Sequence, residues 1–284
     1  MVNSAKMVSA VTFLYLFSTV LYFLYLAFRA ERLGRLATGV AWTTLGIQTG
    51  AILLRWVESY QMGFGHAPLS NMYESLVFFS WCIALLYLLW ERKLKSRVIG
   101  AFALPFAFAF NAYASLAPGV SAKIDPLIPA LQSNWLHAHV ITCFLAYASF
   151  ALSCAVSIVY LVKLRKKGEM GKEGGMTGLF PALDSLDELI YKTIVVGFPL
   201  LTIGIVTGAA WANYAWGAYW SWDPKETWSL ITWFAYAIFL HARITRDWRG
   251  KRTAILSIIG FIAVIFTYFG VNYLLSGLHS YGSS

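Results

Sequence analysis

The chain has 284 residues, is 59% hydrophobic and only 12% charged, and has a formal net charge of +9. Those proportions exclude a water-soluble domain, and apolar runs near the ~20 residues needed to cross a bilayer recur along the whole length. A basic balance in such a chain records loops retained on the cytoplasmic side, so it does not argue for nucleic acid.

The apolar runs predict about eight transmembrane helices, over 7–28, 36–56, 72–90, 98–116, 136–162, 190–210, 228–243 and 253–275. The first run is too long for a signal-peptide core and lacks a basic leader and a small-residue cleavage site, so a retained span is expected. The basic residues fall on alternate connections: Arg29, Arg32 and Arg35; Arg92, Lys93, Lys95 and Arg97; Lys163, Arg165, Lys166, Lys167, Lys172 and Lys192; Arg243, Arg246, Arg249, Lys251 and Arg252. These are 18 of the 22 Lys and Arg, and only Lys6, Arg55, Lys123 and Lys225 remain for the other side. The positive-inside rule then puts both termini outside, with connections 57–71, 117–135 and 211–227 and the tail after Leu275. A single membrane domain over 1–284 is expected.

Cys82, Cys143 and Cys154 all fall inside apolar runs. Without a CxxC pair a thiol–disulfide role is disfavoured, and without CxxCH the chain carries no covalent c-type haem of its own. His66 lies in the connection leading to the third span, in FGHAPLSNMYES. His137 and His139 open the fifth span in NWLHAHVITCF; two residues apart on a helix, they point to different faces, so one of them at most is expected to ligate. In connection 163–189, GEMGKEGG reads as a flexible turn and PALDSLDELIYK as a short amphipathic helix at the membrane interface, capped near Asp184. Gly204 and Gly208 form a GxxxG whose expected role is close helix packing.

The most unusual stretch is WANYAWGAYWSWDPKETW, from Trp211 to Trp228. Trp211, Trp216, Trp220, Trp222 and Trp228, with Tyr214 and Tyr219, supply flat apolar faces with polar handles. Gly217 removes a side chain and Pro224 biases Asp223 towards extended backbone, which would hold the run as a surface plate able to wall in a large planar ligand. An interfacial aromatic girdle is the competing reading.

Histidine completes the pattern. Neutral imidazole is the usual axial ligand of haem iron. His139 and His279 both lie towards the outer mouth, and they make a bis-imidazole site if their spans are neighbours, with interfacial histidines bonding loop carbonyls as the alternative. His241 lies 13 residues beyond Trp228, ~20 Å down a helix. An ionisable group in the inner half of a bilayer is rare unless paired, functional or snorkelling. His66, near the opposite face, is not expected to share an iron with it. Arg55 and Lys225 are candidate partners for haem propionates, although Arg55 could simply pair with Glu58.

The run WGAYWSWDPKETWSLITW resembles the tryptophan-rich WWD signature of haem-handling proteins of cytochrome c assembly, and its DPKETW ending is similar to the CcsA/ResC type rather than the CcmC or CcmF types. The family pattern Trp-Leu-x-x-His falls on Trp135, Leu136 and His139, which favours His139 over His137; the family also has a histidine after the last helix, here His279, and one in the helix after the tryptophan motif, here His241. The resemblance implies haem b as bound and transported substrate. It implies a cofactor-binding set of His139, His279, His241, Trp211, Trp216, Trp220, Trp222, Asp223 and Trp228, with no catalytic acid or base. It implies a CcsB/ResB-type membrane partner, an apocytochrome c with CxxCH and a thiol-reducing thioredoxin-like protein. Haem-lyase activity is expected only in complex with that partner, in a bacterial plasma membrane or a thylakoid membrane. A b-type electron-transfer cytochrome and a haem-free transporter or anchor are the alternatives.

Overall fold

A computed structural model describes residues 3–94, 96–170 and 178–275. Among them are nine α-helices: α1 Ser4–Phe28, α2 Glu31–Gln61, α3 Met72–Leu94, α4 Gly100–Leu116, α5 Asn134–Met170, α6 Leu183–Trp216, α7 Pro224–Thr245, α8 Lys251–Ile265 and the short α9 Val271–Leu274. A π-helical turn, Phe266–Gly270, joins the last two. Six of the helices, the last being the continuous run Lys251–Leu274, are long and apolar enough to cross a membrane. α4 is equally apolar but has 17 residues, and α7 has 22 residues interrupted near its ends by Lys225, Glu226, His241 and Arg243. The architecture is that of an all-helical, polytopic membrane protein.

Backbone contacts divide the chain into two compact units, Met1–Leu127 with Leu161–Leu183, and Ile128–Tyr160 with Asp184–Ser284. In the first, α1 packs on α2 and α4, and α3 on α4 and α2, closing a four-helix ring. Its interior is tied by polar groups that are expensive to bury unless paired. Tyr15 Oη donates to Gln48 Oε1 at 2.5 Å, and Gln48 Nε2 donates to the Val77 carbonyl and to Asn111 Oδ1. Asn111 Nδ2 in turn donates to the Val8 carbonyl and Thr12 Oγ1. The Glu91 carboxylate, also buried, accepts from the hydroxyls of Tyr22, Tyr87 and Thr38.

In the second unit α5 and α6 meet along small residues. A methyl group on Gly197 would fall 2.6 Å from Phe150, and one on Gly204 would fall 2.5 Å from Cys143 Sγ. Phe150 stacks on Tyr236 of α7 with ring centres 3.6 Å apart. Ser153 Oγ meets Ser257 Oγ of α8 at 2.8 Å, and Trp233 Nε1 of α7 donates to Thr202 Oγ1 of α6 at 2.9 Å. At the end of the unit holding the C-terminus of α7, Arg243 pairs with Asp187 at 2.6 Å, both almost wholly buried. Asp187 Oδ1 also accepts from Gly250 N and Thr253 Oγ1.

Two boundaries differ from the sequence reading. The segment expected as a separate amphipathic interface helix is the first part of α6, which runs unbroken through the sixth span. Asp187 of this stretch is buried against Arg243. The expected outer loop 211–227 is also shorter, because α6 continues to Trp216 and α7 already begins at Pro224.

Candidate functional site

The site is built at the end of the second unit where α5 and α7 begin and α6 ends. His139 stands one turn into α5. Its Nδ1 is 2.7 Å from the carbonyl oxygen of Gly204. A carbonyl can only accept, so Nδ1 carries the proton and the lone pair lies on Nε2, the tautomer an iron would need. Gly208 is what admits the ring: a Cβ there would lie 2.6 Å from His139 Nδ1. The GxxxG therefore packs helices, as its spacing predicts, and also seats a histidine.

Trp211 lies against the same imidazole, ring centres 5.8 Å apart and planes 28° from parallel. It is buried, and its indole N–H donates to the Ala130 carbonyl at 2.7 Å. Tyr214 Oη donates to the Gln132 carbonyl at 3.3 Å. The turn Pro129–Leu131 is thus fastened to the last turns of α6. Trp216 touches Trp211 at 5.2 Å, tilted by 58°.

Gly217, at φ 78, ends α6 with its N–H on the Asn213 carbonyl. The left-handed conformation is inexpensive for glycine. Trp222 adopts φ 58 as well, a conformation uncommon for a bulky residue, and its indole is 69% exposed. Asp223 is extended at φ −52, ψ 146, as a residue before proline should be, and it caps α7. Its Oδ1 accepts from Lys225 N at 2.9 Å, while Glu226 Oε2 accepts from Asp223 N and from Ser221 N. Both carboxylates are used to shape the turn, a reciprocal capping box.

The five tryptophans do not form one plate. Trp211 is a buried anchor, Trp220 meets Trp222 edge-on at 88°, and Trp228 packs against Phe266 with ring centres 4.0 Å apart. Aromatic rings gain more from tilted and edge-on contacts than from one common plane. A cavity of about 70 Å³ opens beside Trp211 and Trp220, lined also by His139, Cys143, Lys225 and Thr267 among others. A drug-sized ligand fills roughly 300 Å³ or more, so a porphyrin macrocycle does not fit this space with the 217–223 turn where it stands. Lys225 lies in the first turn of α7, before the stretch 228–243 expected to cross the membrane, with Nζ 3.4 Å from Asn272 Oδ1. Burial pulls its ammonium down to about 8, against the opposing effect of Asp223.

Of the residues proposed from sequence, His139, Trp211, Trp220 and Lys225 share one cavity, with Trp216, Trp222 and Asp223 around it. His137 does not line it. His279 lies outside the described residues. His241 is exposed near the far end of α7. The cavity is also lined by Cys143 and Thr267, and Asn272 meets Lys225, none of which the sequence marks as a site residue.

Two candidates belong to the first unit and have structural occupations there. His66 is buried, with Nδ1 3.1 Å from the Ala67 carbonyl and Nε2 3.0 Å from the Asp125 carbonyl, so both ring nitrogens face acceptors of the backbone. Arg55 does not pair with Glu58. Its Nε donates to Glu74 at 2.7 Å, its other nitrogens reach the carbonyls of Ala122 and Lys123, and Glu58 instead accepts from Ser4 at the start of α1.

The sequence profile of the family described as cytochrome C assembly protein matches residues 69–279. Among curated relatives, the cytochrome c biogenesis protein CcsA of Gloeobacter violaceus is 39% identical over 93% of this chain and 92% of its own. That of Guillardia theta is 43% identical over 96% and 94%. That of Chlamydomonas reinhardtii is 45% identical over 81% of this chain and 64% of the relative. Among solved structures, a cytochrome c haem lyase, CcmF, superposes with a TM-score of 0.70 at 19% identity, covering 95% of this chain and 47% of that one, a likeness of fold. With matches of this extent across its length, the chain belongs to the cytochrome c assembly family, as a cytochrome c biogenesis protein of the CcsA type.

Proposed function

We propose that, within cytochrome c biogenesis, this chain binds haem and presents it at the outer membrane face for attachment to an apocytochrome c. The observation that carries the reading is His139, its tautomer set by the Gly204 carbonyl and its ring lying against Trp211. A histidine whose second nitrogen is tied down is pre-oriented as a metal ligand. His139 and His279 would hold the iron on the outer side, with Trp216, Trp220, Trp222, Asp223 and Trp228 shaping the surroundings. Opening of the 217–223 turn would admit the macrocycle. His241, exposed on α7, would hold haem in the inner half of the membrane with a second ligand from a CcsB/ResB-type partner. The whole chain would act as one haem-handling domain with both termini outside.

The bond-forming step adds each S–H of the apocytochrome CxxCH across a haem vinyl, creating a C–S and a C–H bond without net oxidation. The protein supplies position rather than an acid or base. Synthase activity would belong to the complex with the partner, in a bacterial plasma membrane or a thylakoid membrane.

The test is a visible spectrum of the purified full chain beside His139→Ala, His279→Ala and His241→Ala. The expected result is a Soret band whose position or intensity depends on the outer pair and, separately, on His241. No Soret band, or one indifferent to all three changes, refutes the reading. Haem that never exchanges onto an apocytochrome would favour a fixed b-type cytochrome.

A further inference from the structure

The cavity beside His139 has a feature that iron coordination does not use. Trp220 Nε1 is buried and, among the described residues, has no hydrogen-bond acceptor. A buried donor left unpaired costs ~1–3 kcal/mol and is uncommon in folded proteins. Trp220 lines the same cavity as Lys225, whose ammonium is drawn inward to Asn272. The cavity's volume, about 70 Å³, is that of a few waters or one small polar group. Glu226 also lines it, but its Oε2 is engaged by the N–H groups of Ser221 and Asp223.

From the presence of an orphaned indole N–H and an ammonium in one cavity we infer that Trp220 and Lys225 form a carboxylate subsite that takes a propionate of the haem. The inference rests on the haem reading of this cavity and specifies how that substrate is oriented. A carboxylate accepting from both would gain a charge-assisted contact, stronger than a neutral one and direction-specific. The subsite distinguishes one edge of the porphyrin from the other, so the vinyl edge is left for the incoming thiols. Lys225 and Trp220 are positioning residues in this scheme.

The experiment compares binding of haem and of haem dimethyl ester to the purified full chain, read by Soret titration. Wild type should prefer the free acid by roughly tenfold or more, the worth of a hydrogen bond to a charged group. Lys225→Met and Trp220→Phe should each bring the ratio towards one. Trp220→Phe keeps an aromatic ring in place, which guards against a loss of folding in the lysine variant. Equal binding of both porphyrins by wild type, or full discrimination by both variants, overturns the subsite while leaving haem binding at His139 intact. Failure of wild type to bind either porphyrin overturns the haem reading and the subsite with it.

Discussion

The imidazole of His139 is held between two points of α6: its Nδ1 on the carbonyl of Gly204, its face against the indole of Trp211. Both contacts depend on the absence of a side chain at Gly208. An added methyl there would sit 2.6 Å from Nδ1 and 2.8 Å from Cε1 of the ring. Gly208→Ala should therefore reproduce the spectral change of His139→Ala although it removes no ligand, at an overpacking cost of ~1–3 kcal/mol. Gly39→Ala, where the new methyl meets nothing, is the control. A wild-type spectrum in Gly208→Ala would show that the ring is not seated as described.

Asp223 invites a different substitution. Its carboxylate caps α7, and asparagine is as good an N-cap as aspartate. Asp223→Asn should keep stability and haem binding close to wild type, whereas Asp223→Ala should lose ~0.5–2 kcal/mol of stability. Thermal unfolding of the purified protein reads the difference. A loss of haem binding in the asparagine variant at unchanged stability would assign the charge to the ligand and not to the helix.

The pair Arg243–Asp187 fixes the opposite end of the second unit. Removing one partner of a buried ion pair strands the other, at ~3–5 kcal/mol. Arg243→Ala should lower the melting temperature sharply, while Arg246→Ala, at an exposed neighbour, should leave it within a degree or two. Equal effects of the two would mean that Arg243 serves only as a topological charge.

His66 separates two kinds of histidine. With both ring nitrogens against backbone carbonyls, it ties the turn after α2 to the strand of chain at Asp125. His66→Ala should cost ~1–3 kcal/mol of stability and leave every haem band in place. Loss of a Soret component in a well-folded His66→Ala protein would restore it to the ligand set.

The crossings were legible because a run of some twenty apolar residues has few other uses. The ends were less so. PALDSLDELIYK carries the pattern of a surface helix, and the partners that hold Asp187 inward, Arg243, Gly250 and Thr253, all lie more than fifty residues away in sequence. The indoles of 211–228 were legible as a cluster but not in their division of labour, because nothing in the spacing tells which ring anchors a turn and which faces outward. Arg55 reads from the sequence as a propionate partner or as the mate of nearby Glu58; Glu74 lies far enough along the chain to hide the pair it makes. The GxxxG was legible as packing, and its second use as a seat for His139 needed the neighbouring helix.

The π turn at Phe266–Gly270 carries a consequence for the last span. Each residue advances an α-helix by about 100°, so a wider turn resets the phase of everything that follows it. Asn272 then faces Lys225. Substitutions that restored uniform α winding at constant length would turn Asn272 by about 100° off its bearing, detuning the wall opposite His139, whereas deleting Phe269 would remove the residue that the wide turn absorbs and leave Asn272 facing Lys225.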